Sequence, residues 1–386
     1  MVQPPLDPPT RKARLLEVAG LFLKLGLTAF GGPAAHQAMM HDEVVTRRKW
    51  ISEERFLELF GAANLIPGPT STEMAIYLGI QRVGWPGFVL GGVCFILPAM
   101  LLVLGLSWAY VQFGTAPAAE GLLYGLKPVV IVIIFQAVWN MGRKAVKGWV
   151  SGAVGLAAAV LYLLGVNVLA ILLGGGLLIM LVKNFRRLRP VSAAGLLVSF
   201  GPGLALSSAA APISLGVLFL TFLKIGAVLY GSGYVLAAFL RADLVNNLGW
   251  LTDRQLLDAI AIGQVTPGPL FTSATFIGYL VGGVPGALLA TLAIFLPSFA
   301  YVAISAPLLP RLRRSAWAAA FLEGVTLASL GLMAGVMLQL GAAAFVDPLT
   351  VLAAVLALLL LFRFHINTTW LIAGGMLVGL LHTFLP

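Results

Sequence analysis

The chain contains 386 residues, of which 60% are hydrophobic and only 10% are charged. A soluble globular domain needs more polar residues than this to cover its surface, so the composition excludes that class and predicts an all-α polytopic membrane protein. The formal net charge of +10 comes from short basic clusters between apolar segments, a pattern that marks membrane orientation and argues against a nucleic-acid partner.

The first part of the chain predicts a short tail followed by interrupted helices. Residues 1–14 contain a basic cluster and are predicted to form a cytoplasmic tail. The apolar stretch after them stops at Phe30-Gly31-Gly32-Pro33, where glycine and proline favour a helix break. A polar region follows, and then a helix from Glu53 to Ile66 is predicted to stop at Pro67-Gly68-Pro69 and to restart at Thr70.

The break at Pro67-Gly68-Pro69 predicts an anion site. Proline lacks an N–H group and clashes with the preceding turn, so one helix ends with unpaired carbonyls and the next begins with unpaired N–H groups. Those N–H groups lie at the positive end of a helix dipole, which favours an anion there. The hydroxyls of Thr70, Ser71 and Thr72 add hydrogen-bond donors at the same place.

The rest of the first half predicts membrane-crossing helices. Apolar runs that are long enough lie near 86–110, 119–142, 148–166 and 167–182. They complete a first repeat at residues 15–189. Residues 190–211 are predicted to be a connector that supplies an extra crossing, although they are rich in glycine, serine and proline.

The second half, residues 212–386, repeats the first at a nearly constant offset. Pro267-Gly268-Pro269 repeats the first triplet, and Tyr230-Gly231-Ser232-Gly233 repeats the first glycine break. Other matched positions are Lys24 and Lys224, Trp50 and Trp250, Asn64 and Gln264, Glu120 and Glu323, and Gln136 and Gln339. A duplication with broken helices in both copies is typical of a transporter binding site.

Loop charges predict that the two repeats have opposite orientations. The loop at 143–147 contains three basic residues, whereas its second-half partner at 345–348 contains none. The loop before it shows the opposite contrast. The first-half copy at 111–118 contains no cation, whereas the second-half copy contains three arginines at 311–314. By the positive-inside rule, the fold is therefore two inverted-topology repeats, each with broken or re-entrant hairpins and about four membrane-crossing helices.

The candidate substrate contacts combine backbone, hydroxyl, amide and ammonium donors from both repeats. They are Lys24, Asn64, Gly68, Thr70, Ser71, Thr72, Lys224, Gln264, Gly268, Thr272 and Ser273. The two lysines either attract a dianion or extend to the membrane interface. The amides of Asn64 and Gln264 either donate to an oxyanion or cap the helix that ends beside them.

Three acids are candidates for ion coupling. Glu73 is either a proton carrier or the last residue of a capping box that begins at Thr70, and we favour the capping box. Glu120 and Glu323 each stand near the start of a long apolar run, where they stabilise the helix dipole or take part in coupling. The polar residues predicted to lie at the interface are His36, Glu43, Asp243 and the basic cluster 47–49.

Three motifs together indicate a known family. They are Phe30-Gly31-Gly32-Pro33, Asn64-Leu65-Ile66-Pro67-Gly68-Pro69 and Gly263-Gln264-Val265-Thr266-Pro267-Gly268-Pro269. The chain resembles the chromate ion transporter (CHR) family in its long-chain, two-domain form. The resemblance implies a bacterial inner-membrane permease that exports chromate, a tetrahedral dianion similar in shape to sulfate, and so confers chromate resistance.

The sequence therefore predicts a secondary transporter for chromate, with sulfate as a competing anion and the lipid bilayer as its surroundings. Uptake of sulfate or another oxyanion, a passive channel and an intramembrane enzyme are the alternatives. The enzyme is disfavoured because the one cysteine, Cys94, and the four histidines show no catalytic or metal-ligand spacing. We expect no metal, cofactor or catalytic residue, and the sequence leaves a homodimer open.

Overall fold

A computed structural model describes residues 10–184, 213–230, 233–312 and 315–384. The predicted connector at 190–211, most of the N-terminal tail, Gly231 and two of the arginines at 311–314 lie outside these residues. The described chain is helical throughout and contains no β-strand, which confirms the predicted all-α fold.

The described part of the first repeat has eight α-helices. They are α1 (Arg11–Thr28), α2 (Gly32–His41), α3 (Glu53–Ala63), α4 (Thr70–Val83), α5 (Trp85–Phe113), α6 (Pro117–Ala145), α7 (Trp149–Leu163) and α8 (Val168–Asn184). A π-helical turn, Asp42–Arg47, extends α2. Gly31 separates α1 from α2 with a φ of 101°, a left-handed conformation that glycine adopts without strain.

The second repeat follows the same order. Its helices are α9 (Leu215–Val228), α10 (Leu236–Leu240), α11 (Asp253–Val265), α12 (Ser273–Leu312), α13 (Ala316–Ala344), α14 (Pro348–Arg363) and α15 (Thr368–Phe384). Gly233 begins a 3₁₀ turn before α10, and a π-helical turn, Arg241–Asn247, follows it. Helix α12 is kinked at Gly282 and Gly283, so its two parts correspond to α4 and α5.

Four helical segments of the described chain are long and apolar enough to cross a membrane. They are Trp85–Phe113, Pro117–Ala145, Leu270–Ala306 and Ala316–Ala344. Five shorter apolar helices of 10–17 residues accompany them. The protein is therefore a multi-pass membrane protein. In the first repeat, the apolar helices coincide closely with the apolar runs that the sequence predicts to cross the membrane.

Contacts between α7 and α13 show that the equivalent helices α6 and α13 run in opposite directions. A Cβ atom on Gly331 of α13 would meet Gly155 of α7, and one on Gly335 would meet Tyr162, seven residues further along α7. Helices α7 and α13 are therefore parallel. Because only three residues connect α6 to α7, we infer that the chain reverses direction between them, as in other short helix–helix connections, which makes α13 antiparallel to α6.

Contacts of α15 lead to the same orientation independently. A Cβ atom on Gly125 of α6 would meet Gly375, and one on Gly121 would meet Gly379, so α6 and α15 are antiparallel. Short connections make α13, α14 and α15 alternate in direction. Helices α13 and α15 are thus parallel to each other and opposite to α6, as inverted repeats require.

The two repeats are interleaved. Helices α7 and α8 of the first repeat pack on α13 of the second, while α14 and α15 of the second repeat pack on α6 of the first. Glycines allow the backbones to approach closely, as at Gly324 against Gly175. Each repeat therefore completes its helix packing only with helices from the other.

Candidate functional site

Both proline–glycine–proline triplets interrupt a helix. Helix α3 ends at Ala63 and α4 begins at Thr70, while α11 ends at Val265 and a 3₁₀ turn, Leu270–Thr272, leads into α12. Gly68 and Gly268 have φ values of 133° and 90°. The chain thus reverses its course inside apolar surroundings, as the sequence predicts.

The backbone N–H groups of the two central glycines bind the opposite repeat. Gly68 N donates to Leu229 O at 2.8 Å, and Gly268 N donates to Ala29 O at 3.0 Å. Leu229 and Ala29 are equivalent positions at the ends of α9 and α1. These N–H groups are therefore already paired in this conformation, which differs from the expectation that they hold an anion.

The two breaks meet at a small cavity of about 20 Å³, lined by residues from both repeats. Pro69, Thr70 and Ser71 face Pro269 and Phe271 across it. A cavity of this size holds about one water molecule. The two breaks thus converge, but the space between them is too small for a tetrahedral oxyanion in this conformation.

Most of the predicted hydroxyl donors bind neighbouring groups. Thr272 Oγ1 donates to Pro269 O at 2.9 Å, and Ser273 Oγ donates to Leu270 O at 2.8 Å. Ser71 Oγ lies 3.1 Å from Nδ1 of His36. His36 is buried in the protein, and its Nε2 lies 3.0 Å from Ala29 O.

The two predicted lysines form equivalent ion pairs. Lys24 Nζ lies 2.7 Å from Glu43 Oε1, and Lys224 Nζ lies 2.7 Å from Asp243 Oδ1. Both acids belong to the π-helical turns and are largely buried. The pairs fix α1 and α9 to these turns, and neither lysine lines a cavity of the described chain that could hold an oxyanion.

A cavity of about 830 Å³ lies between α2, α3, the second half of α6 and residues of the second repeat. Its polar lining residues are Gln37, Asn64, Thr70, Gln136, Asn140, Arg143, Lys144, Tyr230 and Thr326. No aspartate or glutamate is among the residues that line it. Asn64 and Thr70 are the only two of the eleven predicted substrate contacts among its lining residues.

The charge of this cavity comes from the last turn of α6. Arg143 and Lys144 are exposed there, and neither forms an ion pair with any residue of the described segments. Cations at a helix C-terminus also stabilise the helix dipole. The cavity nevertheless combines two uncompensated positive charges with several amide and hydroxyl groups, a composition that suits an anion.

The remaining amides differ between the repeats. Asn64 Nδ2 donates to Phe60 O at 2.8 Å and so caps the end of α3. Its equivalent, Gln264, has a buried Nε2 atom without a hydrogen-bond partner in the described part of the chain and is not among the residues that line the large cavity. Gln136 lines that cavity, whereas its equivalent Gln339 accepts a hydrogen bond of 2.7 Å from Arg241.

The three predicted coupling acids also occupy different surroundings. Pro69 stands at the N-cap of α4, so Thr70 is the first helical residue and the predicted capping box with Glu73 is absent. Glu73 is completely buried. Glu120 and Glu323 lie in part-exposed ion pairs, Glu120 at 3.8 Å from Arg254 and Glu323 at 2.5 Å from Lys183.

The sequence analysis missed two features of the site. Arg143 and Lys144 served only as markers of orientation, because nothing local indicates that α6 places them at a cavity. Lys127 and Asp258 form a buried ion pair of 2.8 Å, and Tyr110 Oη donates to Asp258 at 2.9 Å. The signal for this pair was present, since Lys127 is a charge within the apolar run 119–142.

The described residues contain no cluster of three or more histidine, cysteine, aspartate or glutamate side chains that could hold a metal ion.

The sequence profile of the family described as "Chromate transporter" matches the chain twice, at residues 16–180 and 216–380. The chain belongs to the chromate transporter family. The two matched segments coincide with the two structural repeats, so each repeat is one copy of the family's domain.

Two curated relatives cover most of the length of this chromate transporter family member, and a third covers about one repeat. A probable chromate transport protein of Synechococcus elongatus is 35% identical over 89% of this chain and 89% of its own. A chromate transport protein of Cupriavidus metallidurans is 34% identical over 95% and 92%. An uncharacterized transporter of Bacillus subtilis, YwrA, is 32% identical over 34% of this chain and 76% of its own. No solved structure matches the chain significantly.

Proposed function

We propose that this member of the chromate transporter family is a secondary transporter that exports chromate from the cytoplasm across the bacterial inner membrane. The observation that carries the proposal is the 830 Å³ cavity between the repeats, which contains Arg143 and Lys144 and no acidic residue. The names of the long relatives support chromate as the substrate. The resulting export would confer chromate resistance.

The lining residues suit a tetrahedral dianion. Arg143 and Lys144 neutralise its two charges, and the amides of Asn64, Gln136 and Asn140 have N–H groups to donate to its oxygen atoms. Thr70 adds a hydroxyl at the N-terminus of α4, where the helix dipole also favours an anion. The cavity is large enough for the anion to enter with part of its water shell.

The cavity opens on the cytoplasmic side in this proposal, because the basic loop at 143–147 lies at its mouth. The equivalent residues of the second repeat, which include Gly233, Ala237 and Ile260, line a cavity of only about 10 Å³. Arg241 on that side binds Gln339 at 2.7 Å. Transport then requires the two repeats to exchange conformations, so that the first repeat closes as the second one opens.

The membrane potential supplies the driving force for export. Each charge that crosses gains about 2.3 kcal/mol per 100 mV, so a dianion leaving a cell that is negative inside gains about 4.6 kcal/mol at that voltage. Export therefore needs no nucleotide. The N-terminal tail is cytoplasmic in this arrangement, since the N-terminal basic residues follow the same rule.

Neutralising the two cations tests the site. The double variant Arg143→Gln, Lys144→Gln should raise the KM for chromate at least about tenfold, since hydrogen bonds to charged groups contribute roughly 1.5–3 kcal/mol each. Initial rates of chromate flux in reconstituted vesicles measure this. Lys147→Gln is the matched control, because Lys147 is exposed nearby and does not line the cavity. An unchanged KM in the double variant would place the anion elsewhere.

A further inference from the structure

Glu73 lies one turn beyond the first break, fully enclosed by protein. Its carboxyl oxygens form no well-aligned hydrogen bond among the described residues, and their one polar side-chain neighbour able to donate is Ser298 Oγ on α12. A Cβ atom on Gly68 would lie 2.7 Å from Ser298 Oγ and closer still to Glu73 Oε1. An acid of the first repeat and a hydroxyl of the second thus meet beneath Gly68.

No cation compensates this carboxyl group within the described chain. The titratable groups nearest to it are the hydroxyls of Tyr77 on its own helix, Tyr230 before α10 and Tyr301 on α12. Each hydroxyl is engaged elsewhere, with Ser305, Leu65 O and Ala227 O respectively. His36, on the helix packed beside α4, binds Ser71 and Ala29.

The surroundings leave room for a proton and for little else. A buried carboxylate with a single hydroxyl neighbour and no countercharge is strongly disfavoured relative to the neutral acid. A metal ion would need several oxygen ligands at about 2.3–2.6 Å, and Gly68 is so close to Glu73 that no space remains for them. The same tight packing excludes an anion.

We propose that Glu73 is a proton-binding site coupled to anion binding in the large cavity, an inference that rests on the proposed function. Thr70 connects the two places, since it lines the cavity and precedes Glu73 by one helical turn. A dianion near Thr70 repels a charged Glu73 and so favours the protonated form. By reciprocity, protonation of Glu73 strengthens anion binding.

Anion binding by the purified full chain tests this directly. Equilibrium dialysis with labelled chromate over a series of pH values gives Kd for the wild type and for Glu73→Gln, which keeps the shape of the neutral acid. The wild-type Kd should rise about fivefold or more as pH increases, a factor within the usual range of coupling. The Kd of Glu73→Gln should follow only the protonation of chromate itself, which affects both proteins equally.

Glu58→Gln is the matched control, because Glu58 lies one helix earlier and pairs with Arg55 at the protein surface. The Kd of this variant should depend on pH as that of the wild type does.

Proton uptake from a weakly buffered solution is a second measurement. Its main signal comes from the wild-type protein, so it does not depend on whether the variant folds. Chromate should draw protons into the wild-type protein at high pH. Wild-type and Glu73→Gln binding curves that coincide at every pH would overturn the inference while leaving the proposed function intact. Absence of chromate binding by the wild type at all pH values would instead contradict the proposed function, and this inference with it.

Discussion

Gly68 and Gly268 have positions that no other residue type fills without strain. Both adopt positive φ values, and both donate to the opposite repeat. A Cβ atom on Gly268 would lie 2.7 Å from that of Ala99, and one on Gly68 would overlap Glu73. Each triplet therefore ends a helix and also connects the two repeats through the backbone hydrogen bond of its glycine.

Alanine at either glycine should destabilise the protein. Gly68→Ala and Gly268→Ala each combine backbone strain of about 1–3 kcal/mol with a steric clash, so the thermal unfolding temperature in detergent should fall measurably for both. Gly174→Ala is the control, because Gly174 lies within α8 and has open space around its Cβ position. It should leave stability unchanged or raise it by up to about 1 kcal/mol. Equal unfolding temperatures for all three variants would contradict the role of the triplets.

At the scale of helices, the sequence predicted where the chain is interrupted but not what its polar groups bind. Proline and glycine act locally, so the ends of α3 and α11 follow from the triplets themselves. The partner of Gly68 N is Leu229 O, which belongs to the other repeat and cannot be found by local rules. The capping box failed for a local reason, since Pro69 rather than Thr70 occupies the N-cap.

The same limit applies to the binding site. The matched lysines suggested an anion site because a charge in an apolar helix is costly. Their acidic partners lie nineteen residues away on the π-helical turns, and pairing removes that cost. Arg143 looked like an orientation signal and also lines the cavity. Only the tertiary structure, which places residues of α3 and α6 around the same cavity, could distinguish these roles.

The exchange of conformations between the two repeats should change how fast cysteines introduced beside the two breaks react with a thiol reagent. Asn64→Cys, at the open cavity, should react rapidly with a charged thiol reagent in a background lacking Cys94, whereas the equivalent Gln264→Cys should react slowly. Arg241→Ala removes the hydrogen bond to Gln339, whereas the ion pair of Arg241 with Asp253 has a counterpart between His41 and Glu53 on the open side. It should favour the opposite conformation by about tenfold or more, so Gln264→Cys becomes faster and Asn64→Cys slower. A rise at both positions would indicate local unfolding rather than exchange.

At the scale of the whole molecule, the repeats are opposed in direction and interleaved in packing. Helices α6 and α13 each carry two helices of the other repeat, so neither repeat has a complete interior alone. The hydrogen bonds of Gly68 and Gly268 likewise connect each repeat to the other. The two halves are equivalent in fold, whereas the 830 Å³ cavity lies beside the break of the first repeat, which is the asymmetry that the proposed alternating access requires.

The most direct test is voltage-driven movement of chromate by the purified chain in sealed vesicles. Vesicles loaded with labelled chromate should lose it faster when a potassium diffusion potential makes their interior negative, because each dianion gains about 4.6 kcal/mol per 100 mV. Excess sulfate inside should slow the loss if it competes for the cavity. Chromate loss equal to that of protein-free vesicles, or chromate that is consumed without crossing the membrane, would contradict the account.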